Sequence, residues 1–314
     1  MKGQMNKLIS LVIPCYNEQE TISLFYAEVE KIKKSLRGHR LEYIFVDDGS
    51  NDGTLEILRQ LNQQNPAEVH YISFSKNFGK ESALYAGLKE SQGDYVAVMD
   101  VDLQDPPEQL IQMLVGIEDE GYDVVGTRRV DRKGEPIIRS FFARLFYKLI
   151  NQMSHTQFVN GARDFRLMTR QVVDSILEMS EYNRFSKGLF SWVGFKTKYL
   201  EYTNQDRIAG KTSWSFWGLF KYSIEGIINF SEAPLYLASY VGVGSFLVSI
   251  VSLIFIILRK LFYGGSVNGW ASLVSIVLLI GGIQLFCLGI LGRYIGNIYL
   301  EVKKRPIYIV KEKK

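Results

Sequence analysis

Two uncharged apolar runs near the C-terminus limit what this chain can fold into more than any other feature. Leu235 to Leu258 carries no charged residue; Trp270 to Gly292 carries none either and has a single amide, Gln284. Each exceeds the roughly 20 residues that a helix needs to cross the hydrocarbon core of a bilayer. Core helices of soluble proteins are usually shorter and keep a polar face. The runs therefore predict a two-helix transmembrane hairpin over 235–292. The connecting loop holds only Arg259 and Lys260, whereas Arg293, Lys303, Lys304, Arg305, Lys311, Lys313 and Lys314 follow the second run. The positive-inside rule then predicts a multi-pass protein of the cytoplasmic membrane with both termini cytoplasmic and a basic cytosolic tail over 293–314. The polar first residues lead straight into a strand pattern, which predicts no signal peptide. The formal net charge of +4 sits partly in that tail and suits anionic lipid rather than nucleic acid.

The first two thirds read differently. Apolar runs alternate with helical patterns: strands at Leu8–Pro14, Leu41–Val46, Val69–Phe74, Tyr95–Met99 and Asp123–Gly126, and helices over Glu18–Leu36, Thr54–Gln64 and Glu81–Ser91. Strand–helix alternation at this spacing predicts an α/β domain over 1–230, Rossmann-like, with a mainly parallel sheet covered on both faces. Ligands of such sheets bind at the carboxyl ends of the strands. Two later segments, about 137–153 and 213–232, predict amphipathic helices lying in the membrane interface. Phe141, Phe142, Leu145, Phe146 and Leu149 line one face of the first, and Trp214, Trp217, Phe220, Ile224 and Ile227 one face of the second. Ordinary packing against the sheet is the competing reading of each.

The acidic clusters fall at strand ends. Asp100-Val101-Asp102 follows the fourth strand and leads into Leu103-Gln104-Asp105-Pro106-Pro107. Carboxylates at i and i+2 on a chain leaving its strand can converge on one hard divalent cation, with a diphosphate supplying further oxygens. Such a cation offsets charge on a departing nucleoside diphosphate. His39, His70 and His155 are scattered and Cys15 and Cys287 lie far apart, so carboxylates must hold any metal, which favours Mn2+ or Mg2+. Asp47-Asp48-Gly49-Ser50 follows the second strand; an acid there can accept from ribose hydroxyls or a base N–H. Asp52 reads as a helix cap.

Several motifs in order carry a resemblance. Ser10-Leu11-Val12-Ile13-Pro14-Cys15-Tyr16-Asn17-Glu18, Val46-Asp47-Asp48-Gly49-Ser50 and Asp100 to Pro107 resemble the inverting family 2 glycosyltransferases of the GT-A fold. Gly161-Ala162-Arg163-Asp164-Phe165-Arg166-Leu167-Met168, Arg207-Ile208-Ala209-Gly210-Lys211-Thr212-Ser213 and the two apolar runs resemble its polyprenyl-phosphate branch. That branch includes dolichyl-phosphate mannose synthase and bacterial undecaprenyl-phosphate glucosyl- and N-acetylglucosaminyltransferases. The resemblance covers essentially the whole chain. It implies that Pro14, Tyr16, Glu18, Asp47, Asp48, Lys76 and Gly79 line the nucleotide pocket, with Lys80 either near the donor or a solvated surface lysine. It implies that Asp100 and Asp102, helped by Gln104, hold the metal, and that Arg128, Arg139, Arg207 and Lys211 contact donor or acceptor phosphates. Asp164 matches the family's catalytic aspartate, either taking the acceptor's residual proton or orienting it.

The implied reaction is inverting transfer of one sugar, glucose or N-acetylglucosamine, from a UDP-sugar to undecaprenyl phosphate at the cytoplasmic face. The product would serve modification of a cell-envelope polymer. Transfer of mannose from GDP-mannose is the alternative. Partners would be the nucleotide-sugar, the lipid phosphate and the membrane, with a homo-oligomer packed through the spans also suggested. A processive polysaccharide synthase shares the first half, but its Gln-x-x-Arg-Trp motif is missing here and two spans enclose no polymer channel. A non-catalytic membrane relative would be expected to lose Asp100, Asp102 or Asp164; all three are present.

Overall fold

The computed structural model describes residues 6–129, 150–152, 159, 161–202, 224–263 and 269–314. Along the chain run β1 (Leu8–Cys15), α1 (Ile22–Ile32), β2 (Arg40–Asp47), α2 (Thr54–Gln64), β3 (Val69–Phe74), α3 (Lys80–Glu90), β4 (Tyr95–Val98), α4 (Gln109–Glu118) and β5 (Val124–Arg129). Then follow β6 (Ala162–Thr169), α5 (Arg170–Glu178), α6 (Ser186–Trp192), β7 (Thr197–Tyr202), α7 (Ala233–Tyr263), α8 (Trp270–Lys303) and β8 (Val310–Lys313). The strands form one sheet in the order β7-β5-β6-β4-β1-β2-β3-β8. Pairings β1–β2, β1–β4, β2–β3 and β5–β7 are parallel, and β4–β6, β5–β6 and β3–β8 antiparallel. The sheet is therefore mostly parallel but mixed.

Alternation along the strands builds the core. Ile9, Leu11 and Ile13 of β1 join Tyr43 and Phe45 of β2 in one cluster with Phe25 and Leu58 from α1 and α2. Val12 points the other way, onto Leu84 and Leu88 of α3 and Val172 and Ile176 of α5. Both faces are covered, which is why these strands read as continuous apolar runs rather than as polar–apolar alternation.

Helices α7 and α8 are another matter. They span 31 and 34 residues, about 46 and 51 Å at 1.5 Å per residue. The apolar stretches Ala233–Arg259 and Leu273–Lys303 bury none of their most apolar window against the protein. Large side chains such as Leu261 and Leu285 are more than 70% exposed. Long apolar surfaces of this kind need lipid around them. The length of α8 beyond the roughly 30 Å hydrocarbon core is the part that grips the domain. Tyr294 Oη donates to the Ser231 carbonyl at 2.7 Å, Asn297 Nδ2 to Asn229 Oδ1 at 3.2 Å, and the Tyr182 N–H to Glu301 at 2.7 Å.

The segment read as a basic tail does not hang free. After the left-handed turn at Lys304, φ 47°, Tyr308 stacks on Phe74 at 4.9 Å, and β8 pairs antiparallel with β3, Ser73 opposite Glu312. Arg59 donates twice to Glu312, at 3.0 and 2.5 Å, and Tyr71 Oη donates to it at 2.5 Å. Deleting everything after Phe230 would therefore remove a sheet strand along with the hairpin.

The Arg59 and Tyr71 hydrogen bonds lower the Glu312 pKa to about 2 from an ordinary 4.5. A depressed carboxyl stabilises the folded state fully above pH 4.5, and the contribution is lost as pH falls toward about 2. The carboxylate is partly exposed at the sheet edge, so we expect Glu312→Ala to cost only about 1 kcal/mol. It should also speed amide exchange of residues 71–75 in hydrogen–deuterium exchange. Unchanged exchange there would mean that β8 is held by the stacking and ladder alone.

Candidate active site

The carboxyl ends of β1, β2 and β4 and the loop after β3 meet on one edge of the sheet. The β1 and β2 loops are sewn together. The Asn17 N–H donates to Ser50 Oγ at 2.9 Å, the Asn51 N–H to Asn17 Oδ1 at 2.9 Å, and the Glu18 N–H to Thr54 Oγ1 at 2.8 Å. Asn17 sits at φ 55°, a left-handed conformation that asparagine tolerates better than most residues. Pro14 lies near the end of β1, Tyr16 is 41% exposed, and Glu18 accepts from Thr21 Oγ1 at 2.7 Å.

Asp47 and Asp48 are 1% and 3% exposed. Asp47 accepts from the Ser50 N–H at 2.9 Å and from Ser73 Oγ at 2.6 Å. Asp48 accepts from the N–H groups of Phe78 and Gly79 at 2.6 and 2.9 Å. Burial raises the Asp48 pKa to about 6, against the two N–H groups that pull it down. In this structure both carboxylates are spent on the chain: they shape the turn and pin the 75–79 loop. Gly49 completes the clamp. Its φ is +68°, and a Cβ there would lie 2.3 Å from the Lys76 carbonyl carbon and 2.7 Å from the Asn77 nitrogen, so only glycine fits. Lys76 itself is exposed, its ammonium 5.1 Å from the Phe78 ring centre. Gly79, at φ +95°, turns the chain into α3.

That clamp sets Lys80, the first residue of α3. Its Nζ lies 2.6 Å from Asp100 Oδ1 and 2.6 Å from Asp164 Oδ2. The surface-lysine reading is corrected. Asp164 arrives beside Asp100 because β6 runs antiparallel to β4, with Val98 opposite Arg166 and the two acids two residues beyond that pair. Burial tends to lower the Lys80 pKa, but Asp100 and Asp164 outweigh it and the ammonium is stabilised. Burial likewise pushes Asp164 up, but Lys80, with Lys187 and Arg166, holds its carboxyl well below the usual range. In this arrangement Asp164 is thus held in its ionised form.

Asp102 accepts from the Gln104 N–H at 3.1 Å, in a turn whose Leu103 takes φ 55°. Strain of this kind on a non-glycine residue persists where the surroundings enforce it. Gln104 Oε1 accepts from Arg163 at 3.2 Å, so in this structure the amide links β4 to β6. Buried Asp105 accepts from Arg163 at 3.3 Å and from the Tyr202 hydroxyl. Among the described residues no group of three or more His, Cys, Asp or Glu side chains forms a metal cage. Asp100 and Asp102 nevertheless suit a hard cation that brings other oxygen ligands with it: both are partly accessible, and a cation, the Lys80 ammonium, already sits on Asp100.

Arg128 pairs with Glu201 on β7 at 2.5 Å. Arg139, Arg207 and Lys211 lie outside the described residues, as does most of both interface-helix segments. Their described ends, 150–152 and 224–230, are helical, and buried Ile150 packs with Phe185, Ile227 and Phe230. Sequence reasoning left the partners of the acids unassigned: Lys80, Arg163 and Arg166. Arg163 and Arg166 stand in the Gly161–Met168 motif itself, which was the available signal; Lys80 had none beyond the neighbouring glycine.

The glycosyl transferase family 2 model matches residues 10–177. The chain belongs to that family. It is 44% identical to a glycosyltransferase of Bacillus subtilis strain 168, over 97% of this chain and 92% of the relative. It is 42% identical to a prophage bactoprenol glucosyl transferase homolog of Escherichia coli K12, over 98% and 99%. A prophage-derived bactoprenol glucosyl transferase of Shigella flexneri is 41% identical over 97% of both chains. Among solved structures, a mannosyltransferase of Pyrobaculum calidifontis in complex with GDP-mannose and Mn2+ superposes with a TM-score of 0.51 at 14% identity, covering 93% of this chain and 88% of that one, a likeness of fold.

Gly49→Ala tests the clamp. The substitution forces either the β2 turn or the 76–77 backbone to move, so affinity for a nucleoside diphosphate by calorimetry should fall by about tenfold or more, with a folded protein losing about 1–3 kcal/mol. Wild-type affinity in the alanine variant would show that the loop position does not matter.

Proposed function

We propose that this family 2 glycosyltransferase moves glucose from UDP-glucose to undecaprenyl phosphate, with inversion, at the cytoplasmic face of the membrane. The observation that carries the reading is the coupling of a charged sheet edge to an apolar hairpin within one chain. Lys80, Asp100, Asp102 and Asp164 stand on the first, and α8 grips the same domain through Arg293, Tyr294, Asn297 and Glu301. A cavity of about 330 Å3 lies at this junction, its lining including Glu81, the neighbour of Lys80, and Arg293, Asn297 and Leu300 of α8. Lys80, Asp100, Asp102 and Asp164 do not line it, so it is a candidate seat for the lipid headgroup beside the site rather than for the nucleotide. Relatives named as bactoprenol glucosyl transferases favour glucose over N-acetylglucosamine, and over mannose from GDP-mannose.

The domain assignment follows: 1–230 catalytic, 235–292 the membrane hairpin, and 293–314 a return segment that ends on the sheet. Because β8 pairs with β3, the chain leaves the second span on the side of the catalytic domain. The loop–tail contrast in basic residues supports the cytoplasm as that side.

Asp100 and Asp102 would hold Mn2+ or Mg2+ against the donor diphosphate, and the ion, when bound, offsets the charge gathering on the departing UDP. A phosphate monoester, with a second pKa of about 6, is already largely ionised at pH 7. Its oxygen attacks the anomeric carbon as the bond to the UDP oxygen breaks, and UDP leaves with the electron pair. No strong base is called for, which agrees with an Asp164 held ionised by Lys80. Its role is to fix the ammonium and the acceptor in line. Tyr16, Glu18 and Lys76 line the nucleotide side, and Arg128, Arg139, Arg207 and Lys211 remain the candidate phosphate contacts.

The test is transfer of label from UDP-glucose, UDP-N-acetylglucosamine, UDP-galactose and GDP-mannose into organic-extractable lipid by purified protein with undecaprenyl phosphate and Mn2+. Label from UDP-glucose is expected; label only from GDP-mannose, or none, would refute the assignment. In the same assay Asp102→Asn should lower turnover by about a hundredfold or more in a folded, inserted protein. Near-normal turnover would remove Asp102 from the metal site.

A further inference from the structure

Lys80 occupies the electrostatic position that a divalent ion would take on Asp100. Its ammonium lies 2.6 Å from Asp100 Oδ1 and 2.9 Å from Oδ2, within reach of both oxygens of the carboxylate, while also lying 2.6 Å from Asp164. A hard divalent ion binds a carboxylate oxygen at about 2.0–2.2 Å, on the same lone pairs. Two cations cannot both sit so close to Asp100 without strong mutual repulsion. One must give way. The lysine is free to do so, because its flexible four-carbon stem carries a compact charge that can turn to another anion. The backbone beneath it cannot follow: Asp48 binds the N–H groups of Phe78 and Gly79, and Gly49 packs against Lys76 and Asn77. The head group alone is therefore free to turn, between carboxylate partners within the site and an anion brought by a donor.

We propose that Lys80 is a built-in placeholder for the metal: it holds Asp100 and Asp164 together in the absence of substrate, opposes binding of a divalent ion alone, and yields Asp100 only when a nucleoside diphosphate offers its ammonium another partner. Metal and nucleotide would then enter the site as mutually reinforcing ligands. The coupling is reciprocal, as any coupling between two binding equilibria must be. The placeholder spares the empty site two close carboxylates without a counter-charge and keeps it from filling with metal before the donor arrives. The inference rests on the metal assignment made above for Asp100 and Asp102, and Lys80 acts in it as a positioning residue.

The test is Mn2+ binding to the full-length protein in detergent, read from the paramagnetic resonance signal of free Mn2+, with and without UDP. For the wild type, UDP is expected to tighten Mn2+ binding by about tenfold or more. Lys80→Met, which keeps an unbranched stem without the charge, should bind Mn2+ alone about tenfold more tightly than wild type and show a correspondingly smaller UDP effect, the remainder coming from diphosphate oxygens on the ion. Lys80→Arg should retain the full effect. A merely structural lysine would weaken Mn2+ binding when replaced. Unchanged or weaker binding of Mn2+ alone by a folded Lys80→Met protein therefore overturns the inference while leaving the metal site standing. No Mn2+ uptake by wild type even with UDP overturns the metal assignment and the inference together. Should Lys80→Met fail to fold, the wild-type protein decides: equal Mn2+ affinity with and without UDP refutes the placeholder.

Discussion

One ammonium between two carboxylates organises the reactive edge of this protein. Asp100 comes from the end of β4, Asp164 from β6 and Lys80 from the first turn of α3. The consecutive elements α3 and β4 and the distant β6 are tied at one point. Partly buried carboxylates this close repel each other, and removing the cation would leave them without compensation, which is a costly state in a low-dielectric setting. The arrangement stands because the lysine is placed by a rigid support. Asp48 and Gly49 hold the loop before α3, and the glycine position is dictated by a positive φ and by backbone contact with Lys76. The Asp-Asp-Gly turn thus serves the site less as an open set of acids than as the frame on which the lysine is mounted.

A second constraint is mechanical. The membrane hairpin is bound to the catalytic domain at both of its ends: α7 follows directly from the helical residues 224–230 that pack on Phe185, and α8 runs past the apolar stretch, bonds to Tyr182, Asn229 and Ser231, and sends β8 onto the open edge of β3. The added strand also covers a sheet edge that would otherwise present unpaired backbone groups. Under the proposed function, such a mount holds the sheet edge at a fixed height over the bilayer rather than on a free linker, which favours a lipid-anchored acceptor.

Much of this was legible in the residues. Helix Thr54–Gln64 and strand Val69–Phe74 match their expected bounds, because apolar periodicity and strong turn residues coincide there. The first helix was expected from Glu18 but begins at Ile22; residues 17–19 are drawn instead into hydrogen bonds with the 50–54 turn, a tertiary effect that no local pattern reveals. Strand β6 was met only as a motif, since its Ala-Arg-Asp-Phe-Arg start mixes charge into a buried strand. Strand β8, Val-Lys-Glu-Lys, reads as a charged tail because it is an edge strand with one partner. The metal acids were visible as residue types at a strand end, and Asp164 only through the family resemblance of its motif. Lys80 was not, since its meaning depends on where α3 begins in space.

In the proposed reaction the central step is a single displacement by an ionised phosphate, with Asp164 held by Lys80 as an orienting charge. The most direct measurement is the anomeric configuration of the lipid-linked sugar, read by NMR from product made with α-configured UDP-glucose. One in-line step predicts a β-linked glucosyl phosphate. An α-linked product would mean retention, and with it a different step at this carboxylate cluster from the one described.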